Sequence, residues 1–139
     1  MFIQYPDVVH IDTTYKVNQF NVLLISVVGT TSLNTIFQIA SIFLVGKHED
    51  DYFWALHNLQ VMADSWGVLV KVFFTNNEPA LMLAIAQCFP KARQLLCVFY
   101  INQAVQAKIR KKILGKEEGF YKSFLNNWKL VIAAKTEDE

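Results

Sequence analysis

The stretch that decides the fold is Val68-Leu69-Val70-Lys71-Val72-Phe73-Phe74, an almost continuous apolar run. Such a run, when turn residues bound it, is typical of a strand that is covered on both faces. Gly67 before the run predicts the end of a helix. Thr75 or Asn76 after it predicts the cap of the next helix, and Pro79 fits the first turn of that helix. The run is therefore expected to be a buried strand between two helices.

Three further apolar segments lie upstream, at residues 8–12, 21–28 and 35–45. They are short and rich in β-branched residues, which favours strands over helices. Turn-forming residues separate them, so consecutive strands can pair as an antiparallel meander. Within the first segment the side chains alternate, which places His10 and Asp12 on one face of the strand. We interpret His10 as a packing residue and not as a ligand.

Helical patterns fill most of the remaining chain. Acidic residues at 49–51 begin the first helix, because negative charge is favourable at a helix N-terminus. The later elements are helices at residues 79–89, 100–114 and 120–134 and a strand at residues 93–99. The order βββ–α–β–α–β–α–α predicts an α/β fold with a mixed five-stranded sheet, in which an antiparallel three-strand meander is joined by parallel strands. Residues 8–12 should lie at the centre, antiparallel to 21–28 and parallel to 68–74, in a single domain over residues 1–139.

The composition narrows the class of protein. Apolar residues make up 53% of the 139 residues and charged residues 18%, which excludes a disordered or solvating segment. The cysteines Cys88 and Cys97 are too few for a disulfide framework, so we expect buried apolar residues in a reducing compartment. Residues 17–46 contain no charge, but turn formers at 29–34 break the stretch, so we expect two strands and no membrane span.

Charge is distributed unevenly along the chain. Residues 1–90 carry three lysines and seven acids, whereas residues 91–139 carry ten basic residues and five acids. A basic region of this kind can bind a polyanion such as DNA. The basic residues that share one predicted helix are Lys108, Arg110, Lys111 and Lys112. A phosphate-binding role and an ordinary solvated helix face explain these residues equally well.

Several segments, taken together and in order, resemble Mutator-like element (MULE) transposases. The segments lie between about residues 5 and 105, at 6–16, 18–24, 49–56, 74–81 and 89–97. The resemblance implies the RNase H-like fold of DDE transposases and a DNA partner in the nucleus. It also implies metal-dependent DNA cleavage and strand transfer, with two Mg²⁺ ions roughly 4 Å apart between carboxylates. Asp12 matches the first acid and is the expected metal ligand.

The chain departs from the family pattern at three places. Asn76 stands where the family has its second acid, and Glu78, two residues later, is a less favoured surrogate. No residue before Glu139 matches the third acid, which indicates a truncated domain. The Cys-x-x-His motif reads Cys97-Val98-Phe99-Tyr100, with tyrosine in place of histidine.

These departures predict a degenerate transposase domain that is catalytically inactive with this sequence and binds Mg²⁺ weakly or not at all. Loss of part of the domain should uncover apolar surface, so self-association is a further expectation. The alternative is a domesticated, non-catalytic DNA-associated or protein-interaction module. A third interpretation is a fragment without a selected role.

Overall fold

The computed structural model describes residues 1–14, 19, 22–112 and 118–134. The strands are β1 (Val8–Thr14), β2 (Leu23–Thr30), β3 (Ile36–Leu44), β4 (Val72–Thr75) and β5 (Arg93–Leu96). The helices are α1 (Glu49–Ser65), α2 (Pro79–Cys88), α3 (Val98–Lys112) and α4 (Glu118–Ala133). The predicted order of elements is confirmed. Parts of the resembling segments at 6–16 and 18–24 lie outside the described residues.

The five strands form one mixed sheet in the order β3-β2-β1-β4-β5. β1 pairs antiparallel with β2, so that Val9 lies opposite Gly29. On its other side β1 pairs in parallel with β4, so that Ile11 lies opposite Thr75. β5 continues the parallel part of the sheet. The prediction of a central first strand between an antiparallel and a parallel neighbour is confirmed, and the arrangement is that of an RNase H-like fold.

One face of the sheet packs with α1 and α2 into a single hydrophobic core. Val9 and Ile11 of β1 are buried on this face, whereas Asp12 on the opposite face is exposed. Phe73 of β4 is completely buried, and its ring centroid lies 4.9 Å from that of Phe89. Burial of each large apolar side chain contributes roughly 1.5–3 kcal/mol, so this face anchors the carboxyl ends of β1 and β4.

The parallel strands are shorter than the sequence predicts. β4 covers Val72–Thr75 instead of residues 68–74, and burial alternates before it, with Val70 buried and Leu69 62% exposed. The amides of Lys71 and Val72 both donate to the Asp7 carbonyl, at 3.0 and 2.9 Å. The run is thus an extended segment that joins the sheet only from Val72 onward. The prediction that residues 68–71 are covered on both faces was wrong. Apolar composition alone does not separate a strand from such an extended segment.

The predicted boundaries of the helices are confirmed in part. α1 begins as predicted at its acidic residues, and Asp51 accepts a 3.0 Å hydrogen bond from the His48 amide. Gly67 follows α1 with a φ of 64°, a left-handed conformation that favours glycine. The predicted cap of α2 was wrong, because Glu78 occupies the N-cap position and Pro79 is the first helical residue. Likewise, β5 ends at Leu96 and α3 begins at Val98, before the predicted boundary.

Residues 1–100 and 101–139 are two compact units. Within the second unit, Trp128 Nε1 donates a 2.9 Å hydrogen bond to Asn102 Oδ1. Arg110 Nε donates to the Tyr121 hydroxyl at 3.3 Å, so α3 and α4 are joined at two levels. Leu130 and Val131 on α4 are exposed, and self-association through such surface stays a prediction. Within the described ranges, every helix is too short or too polar to cross a bilayer.

Candidate functional site

The candidate site lies at the edge of the sheet formed by the carboxyl ends of its parallel strands, where the pairing of β1 with β4 ends. Their parallel pairing ends at Ile11 and Thr75, and the next residue on each chain segment is polar: Asp12, still within β1, and Asn76, directly after β4. In α/β sheets, ligand chemistry collects at the carboxyl ends of parallel strands. The fold therefore brings the first two acid positions of the resemblance to the same edge.

Asp12 is engaged by a tyrosine that is distant in sequence. The Tyr100 hydroxyl donates a hydrogen bond to Asp12 Oδ1. Tyr100 lies in the first turn of α3, and its amide donates to the Cys97 carbonyl at 3.0 Å. Burial, and after it the bond to the Asp12 carboxylate and the charge of that carboxylate, raise the pKa of the Tyr100 phenol. The hydroxyl therefore stays protonated and donates to Asp12 at neutral pH.

Asn76 has a different partner on the other side of β1. Its Nδ2 donates a 2.9 Å hydrogen bond to Thr13 Oγ1, and Thr13 is 7% exposed. Side chains alternate along β1, so Thr13 lies on the core face and Asp12 on the opposite face. Asn76 Oδ1 is buried and has no hydrogen-bond partner in the part of the chain that the structure describes. The side chain at the second acid position is therefore bound to a residue on the core face of β1, whereas Asp12 lies on the opposite face.

The donor set does not fit a pair of divalent cations. Asp12 Oδ1 is already bound by a phenol, and Asn76 offers a neutral amide whose oxygen is buried. Glu78 is the N-cap residue of α2, two positions beyond Asn76. Across residues 1–14, 19, 22–112 and 118–134, no three His, Cys, Asp or Glu side chains are grouped so that they could hold a metal ion. Divalent cations such as Mg²⁺ require several oxygen ligands with negative charge among them.

The neighbouring histidine and cysteines have packing roles. His10 stacks on Phe74 with centroids 5.0 Å apart, and burial lowers the pKa of its imidazole. Cys97 extends the β4–β5 ladder, since its amide donates to the Thr75 carbonyl at 2.9 Å. Cys88 is buried as predicted, whereas Cys97 is half-buried, and both thiols are free.

The basic residues predicted for DNA binding lie at the C-terminal end of α3. Lys108, Arg110, Lys111 and Lys112 are all exposed. Arg110 bonds Tyr121, as described above, and the last three residues also complement the negative end of the helix dipole. No ion pair to the three lysines is present among the described residues. Exposed ammonium groups of this kind are free to contact phosphates.

Sequence reasoning missed both contacts that define this edge. The broken Cys-x-x-His motif drew attention to Tyr100, but only as a lost histidine and not as a partner of Asp12. Thr13 carried no functional signal, because a threonine near a strand end can also be a solvated residue or a turn cap.

The mixed sheet and its flanking helices define an RNase H-like α/β domain, in which Asp12 lies near the end of β1. A family described as the MULE transposase domain matches residues 8–104, from the start of β1 into α3. The match covers well over half of the chain, and the chain belongs to this transposase family. The matched range includes Asp12, Asn76 and Tyr100. A comparison with curated proteins finds no match.

Proposed function

We propose that this chain is a DNA-associated domain of the MULE transposase family that neither cuts nor joins DNA. Transposase domains in general bind DNA and depend on metal ions for catalysis. The observation that carries the proposal is the state of the two acid positions. Asp12 is bound by the Tyr100 hydroxyl, and the second position is an amide held on Thr13.

The electrostatics of the site support the inactive half of the proposal. A pair of Mg²⁺ ions concentrates four positive charges, which carboxylates normally offset. One unit charge at about 4 Å from another interacts with about 4 kcal/mol at an effective dielectric constant of about 20. A missing carboxylate therefore removes several kcal/mol from the binding of each neighbouring divalent ion. Asn76 supplies no charge, and Asp12 alone does not compensate for that loss.

The exposed lysines at the end of α3 support the DNA-associated half. Each lysine that contacts a phosphate releases a counterion and adds to the salt dependence of binding. Such contacts need no metal and no intact acid triad. We extend the proposal to a nuclear location, where the DNA partner would be found. Fluorescence microscopy of the tagged chain tests that location.

The DNA-binding half is tested by fluorescence anisotropy with a labelled duplex over a range of salt concentrations. We expect Lys108→Ala/Lys111→Ala to weaken binding and to reduce the slope of log affinity against log salt by about 2. The matched control is Lys91→Ala/Lys129→Ala, which removes the same charge from two other exposed positions. Equal loss in both double variants, or no binding by the wild type, would contradict DNA association through α3. The second of these results would favour a protein-interaction module.

A further inference from the structure

The hydrogen bond from the Tyr100 hydroxyl to Asp12 affects the binding of metal ions at Asp12. We propose that Tyr100 excludes divalent cations from Asp12, as an obstacle that is independent of the missing second acid. The proposal rests on the function proposed above and identifies a positioning residue within the same site. It predicts that restoring the acid at position 76 is insufficient while the hydroxyl of Tyr100 remains.

The chemistry of a carboxylate explains why one hydrogen bond matters here. A carboxylate has two oxygens with two lone pairs each, and a metal ion competes for them with any hydrogen-bond donor. The phenol of Tyr100 takes one lone pair of Asp12 Oδ1 and offsets part of the charge of that oxygen, so a cation binds Oδ1 less strongly than it binds a carboxylate oxygen without a donor. A cation at Oδ1 competes with the hydroxyl for the charge of that oxygen, and a hydrogen bond to a charged acceptor is among the stronger ones in proteins.

The phenol is held in place by the backbone around it. The Cys97 amide donates to the Thr75 carbonyl at 2.9 Å, which ties the start of α3 to the end of β4. The Tyr100 amide donates back to the Cys97 carbonyl at 3.0 Å. Tyr100 also packs edge-on against Phe99, with ring centroids 5.7 Å apart. The backbone that carries Tyr100 is thus tied to the same end of the sheet as Asp12, which places the hydroxyl within hydrogen-bonding distance of the carboxylate.

The test is a Mn²⁺ titration followed by electron paramagnetic resonance, which measures free Mn²⁺ directly and does not depend on activity. The proteins are the wild type, Asn76→Asp, Tyr100→Phe and the double variant Asn76→Asp/Tyr100→Phe. Removal of the hydroxyl should tighten Mn²⁺ binding about tenfold in the Asn76→Asp background. The control Tyr5→Phe removes a phenol from the segment before β1 and should leave Mn²⁺ binding unchanged.

Two additional variants keep the test decisive. Tyr100→Leu also lacks the hydroxyl and is expected to tighten Mn²⁺ binding in the same way. It replaces Tyr100→Phe if that variant folds poorly. Asp12→Ala added to the double variant should abolish the gained binding, because Asp12 is the ligand that is released. Retention of Mn²⁺ binding without Asp12, or equal Mn²⁺ affinity of Asn76→Asp with and without Tyr100, would overturn the proposal.

The experiments distinguish a failure of this inference about Tyr100 from a failure of the proposed function. Metal-dependent DNA cleavage by the wild type would defeat the proposed function whatever the role of Tyr100. Equal Mn²⁺ affinities with no cleavage would defeat only the assignment of Tyr100.

Discussion

Asn76 Nδ2 donates a 2.9 Å hydrogen bond to Thr13 Oγ1, joining the loop after β4 to the end of β1. The amide at the second acid position is therefore part of the structure of the sheet edge. An aspartate there would lack the N–H group, and its charge would lie where Asn76 Oδ1 is buried without a hydrogen-bond partner among the described residues. Restoration of the acid is thus expected to carry a cost in stability.

We expect Asn76→Asp to lower the free energy of unfolding by about 1–3 kcal/mol at neutral pH, since it buries a poorly paired carboxylate. Burial should raise the folded-state pKa of this carboxyl above its unfolded value. The folded state then binds the proton at a higher pH than the unfolded state does. The destabilisation should therefore be complete above the folded-state pKa and should shrink as the pH falls through that pKa toward the unfolded-state value.

Urea denaturation at several pH values measures this effect, and Asn77→Asp at the adjacent exposed position is the matched control. A pH-independent loss, or the same loss in both variants, would show that Asn76 is not buried in the way described.

Gly29 in β2 is expected to resist substitution because the Phe37 ring of β3 covers it. The two residues are paired across the strands, and a Cβ atom at Gly29 would meet the ring inside contact distance. Gly29→Ala should therefore cost about 1–3 kcal/mol, and Phe37→Leu should recover part of that loss.

Thermal unfolding of the single and double variants gives the comparison. Gly119→Ala in α4 is the control, because nothing lies within 4 Å of its added Cβ atom and alanine favours a helix. A Gly29→Ala protein as stable as the wild type would mean that Phe37 does not cover the glycine.

The two thiols should differ in reactivity. Cys88 is 3% exposed, and burial raises the pKa of its thiol, whereas Cys97 is half-buried. Because the thiolate is the reactive species, iodoacetamide should modify Cys97 at least about tenfold faster than Cys88 in the native protein. Mass spectrometry of peptides over a time course measures both rates. In urea the two cysteines should react at equal rates. If they also react at equal rates in the native protein, the buried position of Cys88 is contradicted.

The sequence was sufficient for the order and pairing of the strands, because periodicity and turn residues report local structure and connection rules restrict the topology. It was insufficient for the ends of β4 and β5, where apolar residues such as Leu69 and Val98 fit a strand as well as its flanks. Asn76 looked like a helix cap from its neighbours alone, yet Thr13, 63 residues away, binds its amide. The bond between Asp12 and Tyr100 closes 88 residues and had no local signal.

The central claim is that this domain does not cleave DNA, and a nicking assay on supercoiled plasmid tests it most directly. The wild type, Asn76→Asp and Asp12→Ala are incubated with Mg²⁺ or Mn²⁺, and a metal-dependent nuclease serves as the positive control. We predict that all three proteins leave the plasmid supercoiled. The wild type has one carboxylate at the two acid positions and Asp12→Ala has none, which is too few for two divalent ions. In Asn76→Asp the Tyr100 hydroxyl still binds Asp12. Metal-dependent nicking by the wild type that disappears in Asp12→Ala would contradict the claim and would make Glu78 the leading candidate for the second acid.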